Sequence, residues 1–169
     1  MRLFKTSLYV DPTEKWDGTW EFGKNLTKKD VRALFRAIGK QGCLSSIFID
    51  CFMTKSDLVS KTTIKNGQNS DSWTETTRMS NGTMCHNTYT INVGKVVDCE
   101  FGECEVKPTK SFDGNCVMME YRVLNSDLFS RGTVVHTQSR MFDIDDNKIH
   151  TTMWVNDFLM MLEGTRLSH

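Results

Sequence analysis

From Asp57 onward the chain is a succession of short β-rich segments separated by residues that tolerate positive φ. "DLVSKTTIKNG", "SDSWTETTRM", "HNTYTINVG", "KVVDCEFG", "CEVKPTKSFDG", "NCVMMEYRVL", "GTVVHTQSRMFDI", "NKIHTTMWVN" and "DFLMMLEG" follow one another. Asn66-Gly67, Asn81-Gly82, Asp113-Gly114, Asp145-Asp146-Asn147 and Asn156-Asp157 punctuate them. With Thr19–Phe22 added, about ten strands result, their turns about 8 to 15 residues apart, which predicts a meander of antiparallel hairpins rather than a parallel sheet. Only two prolines occur in 169 residues, so the ladders are left nearly uninterrupted.

Helical periodicity interrupts this pattern once, directly after the first strand. Val31, Leu34, Phe35 and Ile38 fall at i, i+3, i+4 and i+7, one apolar stripe on a 3.6-residue period. Thr27 stands at the N-cap position with Asp30 three residues on, an Asp variant of the capping box, and Gly39 supplies a left-handed stop. A second short helix is expected from Leu44 to about Thr54, with Ile47, Phe48, Cys51 and Phe52 on one side. Residues 1–15 read as an extension ahead of a domain spanning 16–169, since Asp11-Pro12 is a turn signal and nothing before it has a clear period.

Strand alternation distinguishes a barrel from a sandwich. In "GTVVHTQSRMF" the face carrying Val134, His136, Gln138, Arg140 and Phe142 mixes apolar and polar residues, and the opposite face of Thr133, Val135, Thr137, Ser139 and Met141 is no cleaner. Two sheets packed face to face should each show an apolar inner face. A barrel around a wet, partly polar cavity need not, and the expected architecture is a barrel.

Composition excludes several function classes. With 21 basic and 21 acidic side chains the formal charge is zero, and no block of one sign suggests a nucleic-acid partner. No apolar run reaches the length of a membrane span or a signal peptide, so the chain is expected to be cytoplasmic. Six cysteines without a CxxC, and four histidines without ligand spacing, read as thiols rather than as a disulfide framework or a metal site, and no cofactor is expected. Neither a nucleophile–base motif nor a glycine-rich phosphate loop is present, so the protein is read as no enzyme.

The order of Gly18-Thr19-Trp20, a helical segment ending "RALFRAIG", and a ten-strand meander resembles the intracellular lipid-binding proteins, the fatty-acid-binding and cellular retinoid-binding proteins. "KWDGTWEF" is similar to that family's opening strand and "VRALFRAIG" to its first helix. "NGQNSDSWTETTRM" with "NTYTINVGK", and the closing "SRMFDIDDNKIHTTMWVND", stand in the family's order. The resemblance covers about residues 16 to 163. It implies an all-β, calycin-like fold: a ten-stranded antiparallel up-and-down β-barrel with a helix-turn-helix lid between the first and second strands. It also implies a monomer that carries a long-chain fatty acid or other hydrophobic small molecule and touches membranes transiently through the lid.

The family's carboxylate clamp is only half matched. Its last-strand Arg and Tyr align with Leu162 and Gly164, while the other Arg corresponds to Arg140 in "TQSRMF". The expected ligand-binding set is therefore Arg140, Gln138, Tyr121, Trp73, Leu162, Met160, Phe35 and Phe52. Arg140 and Gln138 supply an inward polar patch. Tyr121 adds a hydroxyl, because it and Glu120 face opposite ways. Trp73 is weighed more as core than as ligand wall, and Phe35 and Phe52 lie beneath the helices. Two other function classes remain open from the residues: a secreted lipocalin, also opened by Gly-x-Trp but with its helix after the last strand, and a barrel with an altered pocket serving as a protein-interaction module.

Overall fold

The computed structural model describes residues 16–40, 42, 47–67, 71–110, 116–142 and 145–168. The proposed extension, residues 1–15, lies outside them. The strands are β1 (Gly18–Phe22), β2 (Ser60–Asn66), β3 (Ser72–Arg78), β4 (Met84–Thr90) and β5 (Lys95–Cys99), followed by β6 (Gly102–Lys110), β7 (Cys116–Asn125), β8 (Val134–Phe142), β9 (Asp145–Val155) and β10 (Phe158–Ser168). They form one ten-stranded sheet in the order β4-β3-β2-β1-β10-β9-β8-β7-β6-β5, each neighbour antiparallel. First and last strands pair, so the meander closes on itself. The remaining seam lies between β4 and β5, which are consecutive in the chain yet stand at opposite ends of the ladder order. Side chains bridge it instead: Asn87 Nδ2 donates to the Asp98 carbonyl at 2.9 Å, and Lys95 Nζ to the Thr88 carbonyl at 3.3 Å.

Helix α1 (Lys28–Ala37) follows β1 and begins as its local sequence dictates. Thr27 accepts from the Asp30 N–H, and Asp30 accepts from the Thr27 N–H at 2.8 Å, completing the capping box. Val31 is buried, and Leu34 and Ile38 pack on the barrel core. Gly39 closes the helix at φ +72°. The expected second helix is shorter than its sequence suggests: among the described residues it is a π-helical turn, Phe48–Phe52, followed by a 3₁₀ turn, Lys55–Leu58. The two helical segments are joined by an Arg32–Asp50 ion pair and by Lys28 Nζ donating to the Asp50 carbonyl at 2.9 Å. Gly23, at φ +91°, turns the chain from β1 toward α1, and a Cβ there would collide with the Leu58 carbonyl.

The helices are tied to the barrel by polar contacts from their flanks. Asn25 Nδ2 donates to the Met161 carbonyl at 2.8 Å and its Oδ1 accepts from the Glu163 N–H at 3.0 Å. From the β9–β10 turn, Asn156 Nδ2 donates to the Ala37 carbonyl at 3.0 Å. The helical lid thus sits at the end of the barrel where β1 finishes. At the opposite end, where β1 begins, Trp20 is fully buried and donates from Nε1 to the Trp16 carbonyl at 2.8 Å. The Arg166 guanidinium lies 4.2 Å from the centre of the Trp20 ring. Between these ends the inner faces of the strands bound the interior.

No described helix is long and apolar enough to cross a membrane. Cys51, Cys85, Cys99 and Cys104 are free thiols.

Candidate functional site

The barrel encloses a cavity of about 300 Å³ beneath the lid. Strand alternation determines its wall, because residues directly opposite across an antiparallel ladder share a face. Val135, Thr137 and Ser139 of β8 pair with Tyr121, Met119 and Val117 of β7 and with Val155, Met153 and Thr151 of β9, and all of them face inward. Met160 and Leu162 of β10 continue this wall through their pairing with Met153 and Thr151. From the lid come Leu34 and Leu58.

That phase corrects the placement expected for Arg140 and Gln138. Both lie on the outer face of β8, where Arg140 pairs with Cys116 and His150 and is exposed. Gln138 is half-buried and its Nε2 donates to Cys116 Sγ at 3.6 Å. Adjacent valines at 134 and 135 make either phase readable in the sequence. Burial selects Val135, and Arg140 then points out because five residues separate it from Val135. Phe35 is also displaced: the helix offers Leu34 to the cavity, and Phe35 does not line it. For Phe52 the described backbone places the residue at the end of the π-helical turn.

The other candidates lie at or behind the wall. Tyr121 is buried and lines the cavity, whereas Glu120 points outward, 3.7 Å from Arg122. Met160 and Leu162 line the cavity as half-buried side chains. Trp73 is buried in the core, packs on Tyr89 at 5.5 Å between ring centres, and donates from Nε1 to Glu75 Oε1 at 2.8 Å.

Glu75 was not among the expected residues, yet it is central to this wall. It sits on the inner face of β3 between Ile64 of β2 and Asn87 of β4, and it lines the cavity. Glu100, in the turn between β5 and β6, lines the same cavity. Glu100 keeps much of its side chain accessible to water where it borders the cavity. Burial raises the pKa of Glu75 to about 7; the bond from Trp73 opposes this and the neighbouring charge of Glu100 adds to it. Burial likewise raises Glu100. The phenols of Tyr89 and Tyr121 are pushed well above the ordinary tyrosine range, first by burial and then, for Tyr89, by Glu75 and Glu100 and, for Tyr121, by Tyr89 and then those acids. Cys99 is raised in the same way. Phe101 packs edge-on against Tyr121 at 5.0 Å between ring centres, and both rings line the cavity.

The sequence held one usable sign of Glu75: it lies two residues after Trp73, so the two must share a strand face. The last strand also runs further than the sequence suggests. β10 extends to Ser168, which brings Arg166 opposite Trp20. Arg166 Nη1 donates to the Asp17 carbonyl, and Arg166 is not among the cavity-lining residues. At Gly164 a Cβ would collide with the Phe22 ring, so phenylalanine fills the space that a side chain at this position would need.

No family model and no curated protein sequence matches the chain. Solved structures do match. The Schistosoma mansoni fatty acid binding protein in complex with arachidonic acid aligns over 93% of this chain and 99% of its own, with a TM-score of 0.63 and 13% identity. The Echinococcus granulosus fatty-acid-binding protein 1 aligns over 91% and 98%, with a TM-score of 0.62 and 8% identity. Secretory abundant heat soluble protein 4 from Ramazzottius varieornatus aligns over 94% and 96%, with a TM-score of 0.63 and 9% identity. At these identities the likeness is one of fold, and the chain has the calycin-type ten-stranded barrel, with its lid after the first strand, of the fatty-acid-binding proteins.

Proposed function

We propose that this protein binds a hydrophobic ligand reversibly and without covalent chemistry inside its barrel, as a carrier. The observation that carries the reading is the cavity of about 300 Å³ inside the barrel, walled largely by Met119, Ile149, Met153, Met160, Leu162 and Phe129. A lipid with a single long alkyl chain suits such a lining. Each methylene taken from water adds about 0.8 kcal/mol to its binding. Structural neighbours named for fatty acid binding lend support to the same ligand class.

Access for the ligand runs past the lid. The side-chain contacts that tie it to the barrel, from Asn25 and Asn156, are exposed, and each such bond contributes on the order of 1 kcal/mol net. Local opening of this end is therefore cheaper than opening the laddered barrel. We read the carrier as a cytoplasmic monomer that meets membranes transiently through the lid.

Natively isolated protein should yield a co-purifying lipid at a stoichiometry near one on extraction and mass spectrometry. After delipidation, a fluorescent long-chain lipid analogue with an uncharged head group should bind saturably and be displaced by long-chain lipids. Absence of both co-purifying lipid and saturable binding would overturn the carrier reading.

A further inference from the structure

The polar groups in the cavity wall are of the wrong sign for a carboxylate. Glu75 and Glu100 both line it, with Tyr121 beside them, and among the described residues no lysine or arginine does. Arg140 points outward, and Arg166 stacks on Trp20 away from the lining. The Trp16 indole N–H, a buried donor of a cavity-lining residue with no hydrogen-bond partner, is neutral and cannot balance a ligand carboxylate. A fatty-acid head group beside Glu75 would add another acid to a wall whose described lining residues, Asp57, Glu75 and Glu100 among them, include no cation.

We infer that the cavity selects a long-chain lipid with a basic head group, a primary or substituted alkylamine, whose ammonium lies among Glu75, Glu100 and the rings of Tyr121 and Phe101. This rests on the carrier reading and specifies the ligand class of that same cavity. The chemistry is complementary in two ways. An ammonium supplies the charge that the two carboxyls lack, forming charge-assisted hydrogen bonds. Aromatic faces attract a desolvated cation through their quadrupoles, and aromatic frames are used to hold alkylated ammonium groups. The alkyl chain then runs along Met119, Met153, Met160 and Leu162 toward the lid.

The wall also implies a pH dependence. The titratable groups around Glu75 are Tyr89 of β4, Glu100 of the β5–β6 turn and Tyr121 of β7, and the thiols of Cys85 (β4), Cys99 (β5) and Cys104 (β6) stand near Glu100, while β2 presents the uncharged Ile64 and Thr62. The phenols and the Cys99 thiol stay neutral well above neutral pH, so the carboxyls supply the charge change. Glu75 loses its proton near pH 7. An alkylamine, with a pKa near 10 like that of lysine, stays protonated through that range.

The test compares octadecylamine, octadecanol and octadecanoate as competitors of one fluorescent lipid analogue on the delipidated protein. The amine should displace the analogue at a concentration about tenfold lower than the alcohol, and the carboxylate should be the weakest. Amine affinity should rise by about tenfold between about pH 6 and about pH 8, while alcohol affinity stays level. In Glu75→Gln the amine-to-alcohol ratio and its pH dependence should both fall, with circular dichroism reporting that the barrel is intact. Should that variant fail to fold, the wild-type series and its pH profile still decide the matter. Equal affinities, or preference for the alcohol or the carboxylate, would overturn the basic-ligand inference and leave the carrier reading standing. Binding of none of the three would overturn both.

Discussion

The two ends of the barrel interior handle charge in opposite ways. At the floor, Arg166 is spent on structure: its guanidinium lies over the Trp20 ring and donates to the Asp17 carbonyl, and the tryptophan beneath it is fully buried. Along the wall, Glu75 and Glu100 face the cavity, and Glu75 has one neutral donor, the Trp73 indole, as its hydrogen-bond partner among the side chains described. The cation is thus used up where the barrel is sealed, and the acids stand where it is hollow. Strand register alone produces this separation. An arginine two or four residues earlier on β10 would have faced the cavity, and one residue earlier would have faced solvent. The difference teaches that a site's polarity is set by which inward positions lie above the sealed floor.

The largest effect is expected at the floor. Trp20→Ala removes a fully buried indole and its stacking partner for Arg166, and should cost about 3–5 kcal/mol in urea denaturation. A loss under about 1 kcal/mol would mean that the floor is not a packing unit.

The wall should respond to pH where the floor does not. Glu75 titrates near pH 7 in the fold against 4.5 as its ordinary value. A carboxyl raised on folding releases its proton first from the unfolded chain. The stability it allows is therefore complete below about pH 4.5 and is lost as pH rises toward 7. Glu75→Gln should remove that loss, leaving the variant more stable than wild type at pH 8 by on the order of 2–3 kcal/mol, with the difference shrinking toward pH 4. Parallel stability–pH curves for the two proteins would show that Glu75 is not buried as described.

A smaller effect is expected at the β1–β10 seam, between floor and wall. Gly164→Ala drives a methyl into the Phe22 ring and should destabilise by about 1–3 kcal/mol, readable as a lowered Tm. Pairing it with Phe22→Leu, which vacates part of that space, should recover some of the loss. Arg140→Ala should do least. On the outer face it should shift stability by less than about 0.5 kcal/mol and leave lipid affinity unchanged, and a marked loss of affinity would return Arg140 to the site.

How legible each part was follows from the range of the forces involved. Helix α1 could be read residue by residue, because a capping box and a 3.6-residue stripe are satisfied within one or two turns. The turns were equally local: Asn156, with φ +51°, and Gly82, with φ +86°, announce their conformations by residue type. Glu75 was harder to see because "TETTR" reads as an outward polar strand, and only its spacing from Trp73 argues otherwise. Glu100 was hidden for another reason. In "CEFG" it has the look of a solvent-facing turn residue, and the fold turns that residue toward the cavity.

The amino-acid sequence by itself determined the number and order of the strands, the lid after the first of them, and the absence of a long apolar span. All of these depend on backbone preferences and periodicities that act over a few residues. Tertiary structure alone decided which face of each strand became the inside. Alternation specifies two faces without saying which is buried, and closure of β1 on β10 resolves that choice around the whole barrel. One phase sends Arg140 to solvent and Glu75 to the cavity, because a closed sheet has a single interior and neighbouring strands must agree on it.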